Sequence, residues 1–408
     1  MVKYSAMSTV LKRKMPGTGD EISILGFGCM RFKRNFSETE RQIRLAIEAG
    51  VNYFDTAYMY PGSEKTLGAI MAKPDEDGKK LRDRVFIADK LPHMLVKEPA
   101  DFDKFLNISL QRLGMEYIDY YLVHNLSGIE AWSRCKKLGI VEFLEKAKAD
   151  GKIGHIGFSW HGNLHGFRQV VDDYAWEFCQ IQYNYLDENF QAGTEGLKYA
   201  AAKGMGIVVM EPLRGGTLAG KIPSDVKKLI DGYKDASGSR RSPAYWALRW
   251  VWNHPEVTCV LSGMNDIAQV EENAGAASDA FPRSLPEPAL EMINRIRDVF
   301  NRAIRVNCTG CAYCIPCPYG VDIPYCLSAL NGHSMFGGIS GKFMYNFGLR
   351  AIGDKPSAKA SVCTKCGVCE KKCTQNIPIV KSLEDTAKTM EHPFLSFVVF
   401  LAGKFMGG

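Results

Sequence analysis

The chain has 408 residues, of which 46% are hydrophobic and 24% are charged, as is ordinary for a globular protein. Its net charge of +6 is scattered along the sequence, which argues against nucleic-acid binding. The length predicts two or three domains, or one large domain with an appendage.

The two ends of the sequence predict neither secretion nor membrane insertion. The start, MVKYSAMSTVLKRKMPGTGDE, has no apolar stretch of the kind found in signal peptides. The longest apolar run, Phe394–Ala402, is too short to span a bilayer and predicts a C-terminal helix packed on the body of the protein. We therefore expect no transmembrane segment and a cytoplasmic location.

Short apolar segments recur along the chain up to about residue 280. They are rich in Val, Ile, Tyr and Phe and are bounded by Gly, Asp or Asn, which predicts β-strands. The predicted strands are Ile24–Gly28, Val51–Asp55, Val85–Lys90, Ile118–His124, His155–Ser159, Cys179–Tyr183, Ile207–Glu211 and Val257–Ser262.

Helical segments lie between these strands. Ser37 and Glu40 have the spacing of a capping box, which predicts that Ser37 caps a helix closed by Gly50. Asp103–Gly114 and Ile140–Gly151 likewise predict helices that end at a glycine.

Eight β–α units in about 260 residues have the size and rhythm of a TIM (β/α)8 barrel. The alternative is a doubly wound sheet, but no Gly-x-Gly-x-x-Gly follows any of the strands, which argues against a dinucleotide-binding domain of that kind. A proline-rich linker near residue 285 separates this region from the rest. We predict a barrel over residues 1–285 and a second domain over 286–408.

Four titratable residues fall where consecutive barrel strands end, which is where barrel active sites lie. These residues are Asp55, Tyr60, Lys90 and His124. We expect Lys90 to lower the pKa of Tyr60, and Asp55 to orient Lys90. Tyr60 would then donate a proton to a carbonyl oxygen that His124 orients.

His161 and His165 have the helical spacing of a metal-binding pair. No third ligand is evident beside them, so we interpret this pair as a solvent-facing loop.

Eight of the thirteen cysteines lie in two short runs near the C-terminus. The second run has the spacing of a bacterial ferredoxin, and the first is one residue shorter before its last cysteine. The runs are Cys308, Cys311, Cys314 and Cys317, and then Cys363, Cys366, Cys369 and Cys373.

This spacing predicts two 4Fe–4S clusters, because three thiolates come from one tight loop and the fourth comes from the other run. Cluster one is expected on Cys308, Cys311, Cys314 and Cys373, and cluster two on Cys363, Cys366, Cys369 and Cys317. Zinc sites and disulfides are the alternatives. The gap between the runs favours a mainly helical ferredoxin-like domain.

The residues at the ends of the second, third and fourth predicted strands resemble the aldo-keto reductase family. The resemblance rests on Asn52–Tyr60, on Ser63 and Glu64, and on Lys90 and Leu122–His124. With the cysteine runs, the whole chain resembles the subgroup that carries a C-terminal 4Fe–4S dicluster domain. The resemblance implies a TIM barrel that binds NADP or NAD, with the catalytic roles on the four residues named above.

The resemblance also implies nucleotide-binding positions. Trp160 and Met210 replace a usual asparagine and a usual aromatic residue, and Gly263 and Gln269 replace basic residues that bind the 2′-phosphate of NADP. The implied contacts are Ser159 and Gln180 for the nicotinamide, Leu213, Arg214, Gly215 and Gly216 for the pyrophosphate, and Gln269, Glu272 and Asn273 for the adenosine end.

The expected function is therefore the NAD(P)H-linked reduction of a small aldehyde or ketone, accompanied by one-electron transfer through the clusters. A ferredoxin or another redox protein is the expected partner. The alternative is an electron-transfer or redox-sensing protein whose barrel binds a nicotinamide nucleotide without turnover.

Overall fold

The computed structural model describes residues 9–220, 222–308, 310, 313–350, 356–373 and 375–392. The predicted C-terminal helix over Phe394–Ala402 lies outside these residues. Within the described residues the chain forms two compact units. One comprises Met1–Gly220 and Tyr233–Glu291, and the other Lys221–Gly232 and Met292–Gly408.

The first unit is a closed barrel of eight parallel strands, which confirms the predicted TIM-type fold. The strands lie in chain order around the barrel, and the last pairs with the first. They are β3 (Leu25–Gly28), β4 (Tyr53–Asp55), β5 (Phe86–Leu91), β6 (Ile118–Leu126), β7 (Ile153–Trp160), β8 (Phe178–Gln182), β9 (Gly206–Met210) and β10 (Cys259–Ser262).

A short antiparallel hairpin precedes the barrel. It is formed by β1 (Lys12–Lys14) and β2 (Glu21–Ser23). Met15 and Ile22 pack with residues near the strand starts, among them Tyr53 and Phe178. The hairpin therefore covers the amino end of the barrel. The active site is expected at the other end, where the strands terminate.

Helices connect the strands. In the first unit they are α1 (Phe36–Glu48), α2 (Ser63–Met71), α3 (Ala100–Leu113), α4 (Ile129–Lys137), α5 (Ile140–Ala149), α6 (Leu164–Asp173), α7 (Gly193–Ala202), α8 (Thr217–Gly220), α10 (Pro243–Trp252) and α11 (Ile267–Ala277). The short α9 (Ser224–Asp231) belongs to the second unit, and α12 (Glu287–Arg302) crosses the boundary between the units.

The capping residue predicted for α1 is wrong. Asn35, not Ser37, precedes the helix, and its side-chain oxygen accepts a hydrogen bond from the backbone N–H of Glu38. An asparagine is at least as good an N-cap as a serine, so the helix begins at the earlier of the two candidates. Gly50 follows the helix with a positive φ of 93°, a conformation that glycine adopts without strain.

The second unit is helical around its own apolar core. Its remaining helices are α13 (Ile323–Phe336), α14 (Ile339–Gly348), α15 (Val368–Lys371) and α16 (Ile379–Met390). Leu327 and Leu383 are among the core residues of these helices, and cysteines of both runs pack against that core. Among the described residues, no helix combines the length and the apolar character needed to cross a membrane.

Candidate active site and cluster sites

A buried ion pair lies at the carboxyl ends of two neighbouring strands. Lys90 of β5 donates a hydrogen bond to Asp55, the last residue of β4, with an Nζ–Oδ1 distance of 2.5 Å. The same ammonium donates to the carbonyl oxygen of Thr56 at 2.7 Å. Only 1% of Lys90 is exposed. Buried charges require close partners, so these contacts hold the ammonium in one place.

Tyr60 and His124 lie beside this ion pair. The Lys90 ammonium is 5.0 Å from the centre of the Tyr60 ring. The rings of Tyr60 and His124 are 5.8 Å apart and nearly perpendicular, at 87°. The structure therefore brings together all four residues that the sequence analysis placed at the strand ends.

The ion pair keeps the ammonium charged. Burial opposes the charge on Lys90, but the attraction of Asp55 and Tyr60 outweighs it, and the pKa of Lys90 is raised. Burial raises the pKa of Asp55, and Lys90 only partly offsets that effect. Because the lysine holds its proton more firmly than in water, the cation beside Tyr60 persists at neutral pH.

The expected lowering of the Tyr60 pKa does not occur in this structure. Burial raises the pKa of Tyr60, and the opposing effect of Lys90 is smaller, so the net shift is upward. Tyr60 is therefore protonated throughout the neutral range. Lys90 limits the cost of forming a phenolate without making the phenolate stable.

His124 is neutral at the pH of the cell. Burial lowers its pKa from 6.5 to about 3, and the charge of Lys90 acts in the same direction. No described residue is a hydrogen-bond partner of its buried Nδ1. A neutral imidazole donates through one nitrogen only, which suits the orientation of a carbonyl oxygen.

Ser159 and Gln180 lie side by side on paired strands β7 and β8. The Ser159 hydroxyl oxygen accepts from the backbone N–H of Asn125 at 2.7 Å. Gln180 Nε2 donates to Asp55 Oδ2 at 3.1 Å, and its buried Oε1 has no partner among the described residues. The pair therefore offers a hydroxyl hydrogen and an amide oxygen, which are complementary to the carbonyl and the NH2 of a primary carboxamide such as that of nicotinamide.

The two departures from the family pattern occupy different surroundings. Trp160 is fully buried, packs against Phe167 of α6, and donates through Nε1 to the carbonyl oxygen of Gly162. Met210 is half-buried at the end of β9. Trp160 therefore faces the helix layer, away from Ser159, and does not fill the place beside Ser159.

The segment predicted to meet the pyrophosphate is a tight turn. Glu211, Arg214, Gly215 and Gly216 all have positive φ angles. The Glu211 carboxylate accepts from the backbone N–H of Gly215, and Arg214 Nε is 3.3 Å from Asp187 Oδ2. Half-buried Leu213 lies within the turn. The N–H of Gly215 and the side chain of Arg214, both predicted to bind the phosphates, thus already have partners within the protein.

The three residues predicted for the adenosine end lie on α11. Gln269 and Glu272 are exposed, and Gln269 Oε1 accepts from the backbone N–H of Asn265 at 2.9 Å. Asn273 is buried and donates to Ser262 Oγ of β10 at 3.0 Å. The Asn273 amide therefore ties the helix to the barrel, whereas the other two side chains face outward.

In the second unit, cysteines of both runs line two adjoining cavities. One cavity is lined by Cys363, Cys366, Cys369, Cys317 and Cys314. The other is lined by Cys308, Cys314 and Cys373. Cys311 lies outside the described residues. In both cavities the last cysteine of one run meets cysteines of the other run, as crossed ligation of two clusters requires.

The linings of these two cavities have the chemistry of cluster sites. Among the described residues, which do not include Cys311, no group of three or more His, Cys, Asp and Glu side chains is placed to hold a single metal ion. Cysteine thiolates are the ligands of 4Fe–4S clusters, and apolar side chains such as Ile323 complete both linings.

A protein-family comparison identifies the first unit. The model of the aldo/keto reductase family matches residues 24–285. The chain belongs to the aldo-keto reductase family. A second model, for a 4Fe–4S dicluster domain, matches residues 307–378. Both matches confirm the resemblance seen in the sequence, and the chain is an oxidoreductase of the aldo-keto reductase type.

Relatives of this aldo-keto reductase are about a quarter identical to it over the aligned residues. L-galactose dehydrogenase of Arabidopsis thaliana is 26% identical over 71% of this chain and 95% of its own length. An NADP(+) aldo-keto reductase of Schizosaccharomyces pombe is 24% identical over 66% of this chain and 88% of its own length.

Solved aldo-keto reductases share the fold. The holo form of an enzyme from Bacillus halodurans superposes with a TM-score of 0.57 at 23% identity, covering 70% of this chain and 96% of that one. Its apo form gives a TM-score of 0.55 at 24% identity, with the same coverage.

Several polar groups of this reductase's site escaped the sequence analysis. Thr56 and Asn125 act through backbone atoms, which carry no sequence signal. His161 is exposed in the loop that directly follows β7, as predicted, whereas His165 lies in α6. Alternation along the strand could have placed His161 on the same side as Ser159.

Proposed function

We propose that the protein reduces an aldehyde or ketone at the expense of NADPH or NADH, accompanied by one-electron transfer through two 4Fe–4S clusters. The observation that carries this proposal is the contact of Tyr60 with Lys90 and His124 at the open end of the barrel. The proposed domains are the barrel over residues 1–285 and the cluster domain over 286–408.

Ser159 and Gln180 would hold the nicotinamide, because their remaining donor and acceptor match its carboxamide. A nicotinamide nucleotide, when bound, supplies a hydride to the carbonyl carbon of the substrate. Tyr60 donates its proton to the carbonyl oxygen, so the product is a neutral alcohol. Lys90 stabilises the charge that develops on the Tyr60 oxygen, and Asp55 keeps Lys90 in place.

We expect the pH profile of kcat/KM to show no ionisation of His124 between about pH 5 and pH 8. With its pKa lowered to about 3, the imidazole is neutral across this range, whereas an imidazole in water loses its proton near 6.5. The measurement is the profile of the wild type beside that of His124→Gln. A break near pH 6.5 that disappears in the variant would contradict the assignment.

Either nucleotide remains in the proposal. The fission-yeast relative bears the name of an NADP(+) enzyme, which favours NADP. Gly263 and Gln269, however, carry no positive charge for a 2′-phosphate, which favours NAD. The ratio of kcat/KM for NADPH and NADH decides between them.

The clusters would be held by the crossed cysteine sets predicted from the sequence, and they would supply one-electron transfer. Cys366 is exposed on the wall of its cavity, with exposed Val368, Lys371 and Lys372 close by in the sequence. An exposed ligand brings a cluster near the surface, and the lysines favour a partner with acidic groups around its own redox centre. We propose a ferredoxin or a similar small redox protein as this partner.

The test uses protein purified without oxygen and NADPH or NADH deuterated on one face at C4. Transfer of deuterium from one face to the carbonyl carbon of an aldehyde, detected by mass spectrometry, is the expected result. If nucleotide binds but is never oxidised while the clusters exchange electrons with a ferredoxin, the protein is a redox carrier or sensor and the reductase proposal is wrong.

A further inference from the structure

We propose that His161 is a further substrate-binding residue, whose Nε2–H donates a hydrogen bond to an oxygen atom next to the reacting carbonyl. The substrate class is then a carbonyl compound with a hydroxyl or second carbonyl oxygen on the adjacent carbon. This inference rests on the proposed function, because it assigns the substrate of the same site.

The position of His161 follows from the alternation of β7. Ser159 faces the barrel interior and pairs with Gln180, whereas Trp160 faces α6. The next residue, His161, therefore returns to the side of Ser159. Its backbone N–H donates to the carbonyl oxygen of Leu126 at 2.8 Å, which holds it against the end of β6.

His161 shares the cleft of the catalytic groups. Its side chain is accessible to solvent at the carboxyl end of the barrel. The protein around the ring still excludes part of its hydration, which lowers the pKa of His161 to about 4, and the Lys90 charge contributes to the shift. A charge on His161 likewise disfavours a charge on His124. The imidazole is therefore neutral, and its charge state is linked electrostatically to those of Lys90 and His124.

A chain of hydrogen bonds fixes which nitrogen of His161 carries the proton. The Asp187 carboxylate accepts from Gln182 Nε2 at 2.8 Å, so Gln182 Oε1 must be the acceptor on the other side. That oxygen accepts from Gln191 Nε2 at 3.2 Å. Gln191 Nε2 is also 3.5 Å from His161 Nδ1 and is a donor only, so Nδ1 accepts. The chain of hydrogen bonds therefore favours the tautomer of His161 with the proton on Nε2.

Within the described part of the chain, Gln191 has an unfavourable backbone conformation and an unsatisfied polar atom. This residue has a φ of 57°, in the left-handed region that non-glycine residues rarely adopt. Its buried Oε1 has no partner among the described residues. Strained backbone and unsatisfied polar groups are typical of functional positions. Gln191, Gln182 and Asp187 are thus positioning residues for His161.

A donor fixed in this way discriminates between substrates. A site that donates a hydrogen bond to a substrate oxygen favours the substrate that carries this oxygen, because the analogue without it cannot form the bond. The test therefore compares two aldehydes of three carbons, glyceraldehyde and propanal. Only glyceraldehyde has a hydroxyl group on the carbon atom next to the carbonyl carbon.

The variants are His161→Phe, His161→Gln and Gln191→Met, with His165→Phe as the matched control. We expect His161→Phe to lower kcat/KM for glyceraldehyde by about 10-fold or more and to change propanal by less than about 3-fold. His161→Gln retains a donor and restores part of the preference. His165 is exposed on α6, so His165→Phe leaves both values unchanged.

Gln191→Met gives a spectroscopic test of the positioning chain. In the wild-type protein, 15N shifts of His161 should show a single tautomer with the proton on Nε2, and in Gln191→Met a mixture of the two. The preference for glyceraldehyde should fall together with this change. A single unchanged tautomer in the variant would overturn the positioning role.

Equal losses for both aldehydes in His161→Phe, or no loss for either, would overturn the inference while leaving the reductase intact. If the wild-type protein oxidises neither NADPH nor NADH with glyceraldehyde or propanal, the proposed function itself fails, and the assignment of His161 fails with it.

Discussion

Replacing Tyr60 with phenylalanine should lower kcat for carbonyl reduction by roughly 10²- to 10⁴-fold, the usual contribution of a positioned proton donor. Without the hydroxyl, hydride addition would leave an alkoxide with no proton donor, because His124 is neutral and the Lys90 ammonium is held by Asp55 and Thr56. The ring itself is retained, so its contacts with Lys90 and His124 are preserved. The effect should therefore appear in kcat, with little change in the binding of the nucleotide.

Tyr121→Phe is the matched control. This tyrosine lies on β6, and its buried hydroxyl has no hydrogen-bond partner among the described residues. It pairs in register with Asp89, one residue before Lys90, and so lies on the other side of the sheet from the lysine side chain. Removing its hydroxyl should leave kcat unchanged. A Tyr60→Phe enzyme as active as Tyr121→Phe would show that hydride chemistry does not use Tyr60.

The strands of the barrel are predictable because their pattern is local. Each is a short apolar run with turn residues on both sides, and all eight predicted runs overlap a strand. The boundaries are less predictable. The sequence predicts that Val51 and Asn52 belong to the strand. In the structure the N–H of Val51 donates to the carbonyl oxygen of Ala46 in α1, and the Asn52 side-chain oxygen accepts from the N–H of Ser23. Contacts made by the folded chain shorten the strand there.

The candidate site likewise has some features that the sequence predicts and others that it does not. The meeting of Asp55, Lys90 and His124 follows from their places at consecutive strand ends. The raised pKa of Tyr60 does not follow, because burial depends on the whole fold and outweighs the neighbouring charge. The chain from Asp187 to His161 is also hidden, since Gln191 lies 30 positions from His161 and meets it only in the folded protein.

Two double variants, each lacking two cysteines, should distinguish crossed from uncrossed cluster ligation. In the crossed arrangement, Cys308 and Cys373 serve one cluster, so the double variant Cys308→Ala/Cys373→Ala should keep about four of about eight irons. Cys308 and Cys317 serve different clusters, so Cys308→Ala/Cys317→Ala should lose both. If each run supplied a whole cluster, the two results would be exchanged.

Iron and sulfide analysis, with EPR of the dithionite-reduced protein, measures these outcomes. Cys326→Ala is the control, because Cys326 is buried in the core of the second unit and its thiol lies 3.7 Å from the Tyr345 hydroxyl. It should keep about eight irons. In the crossed arrangement each cluster joins the two cysteine runs. Loss of one cluster should therefore lower the stability of the second unit more than loss of a single loop would. Equal iron contents in the two double variants would contradict both arrangements and return the cysteines to separate metal sites.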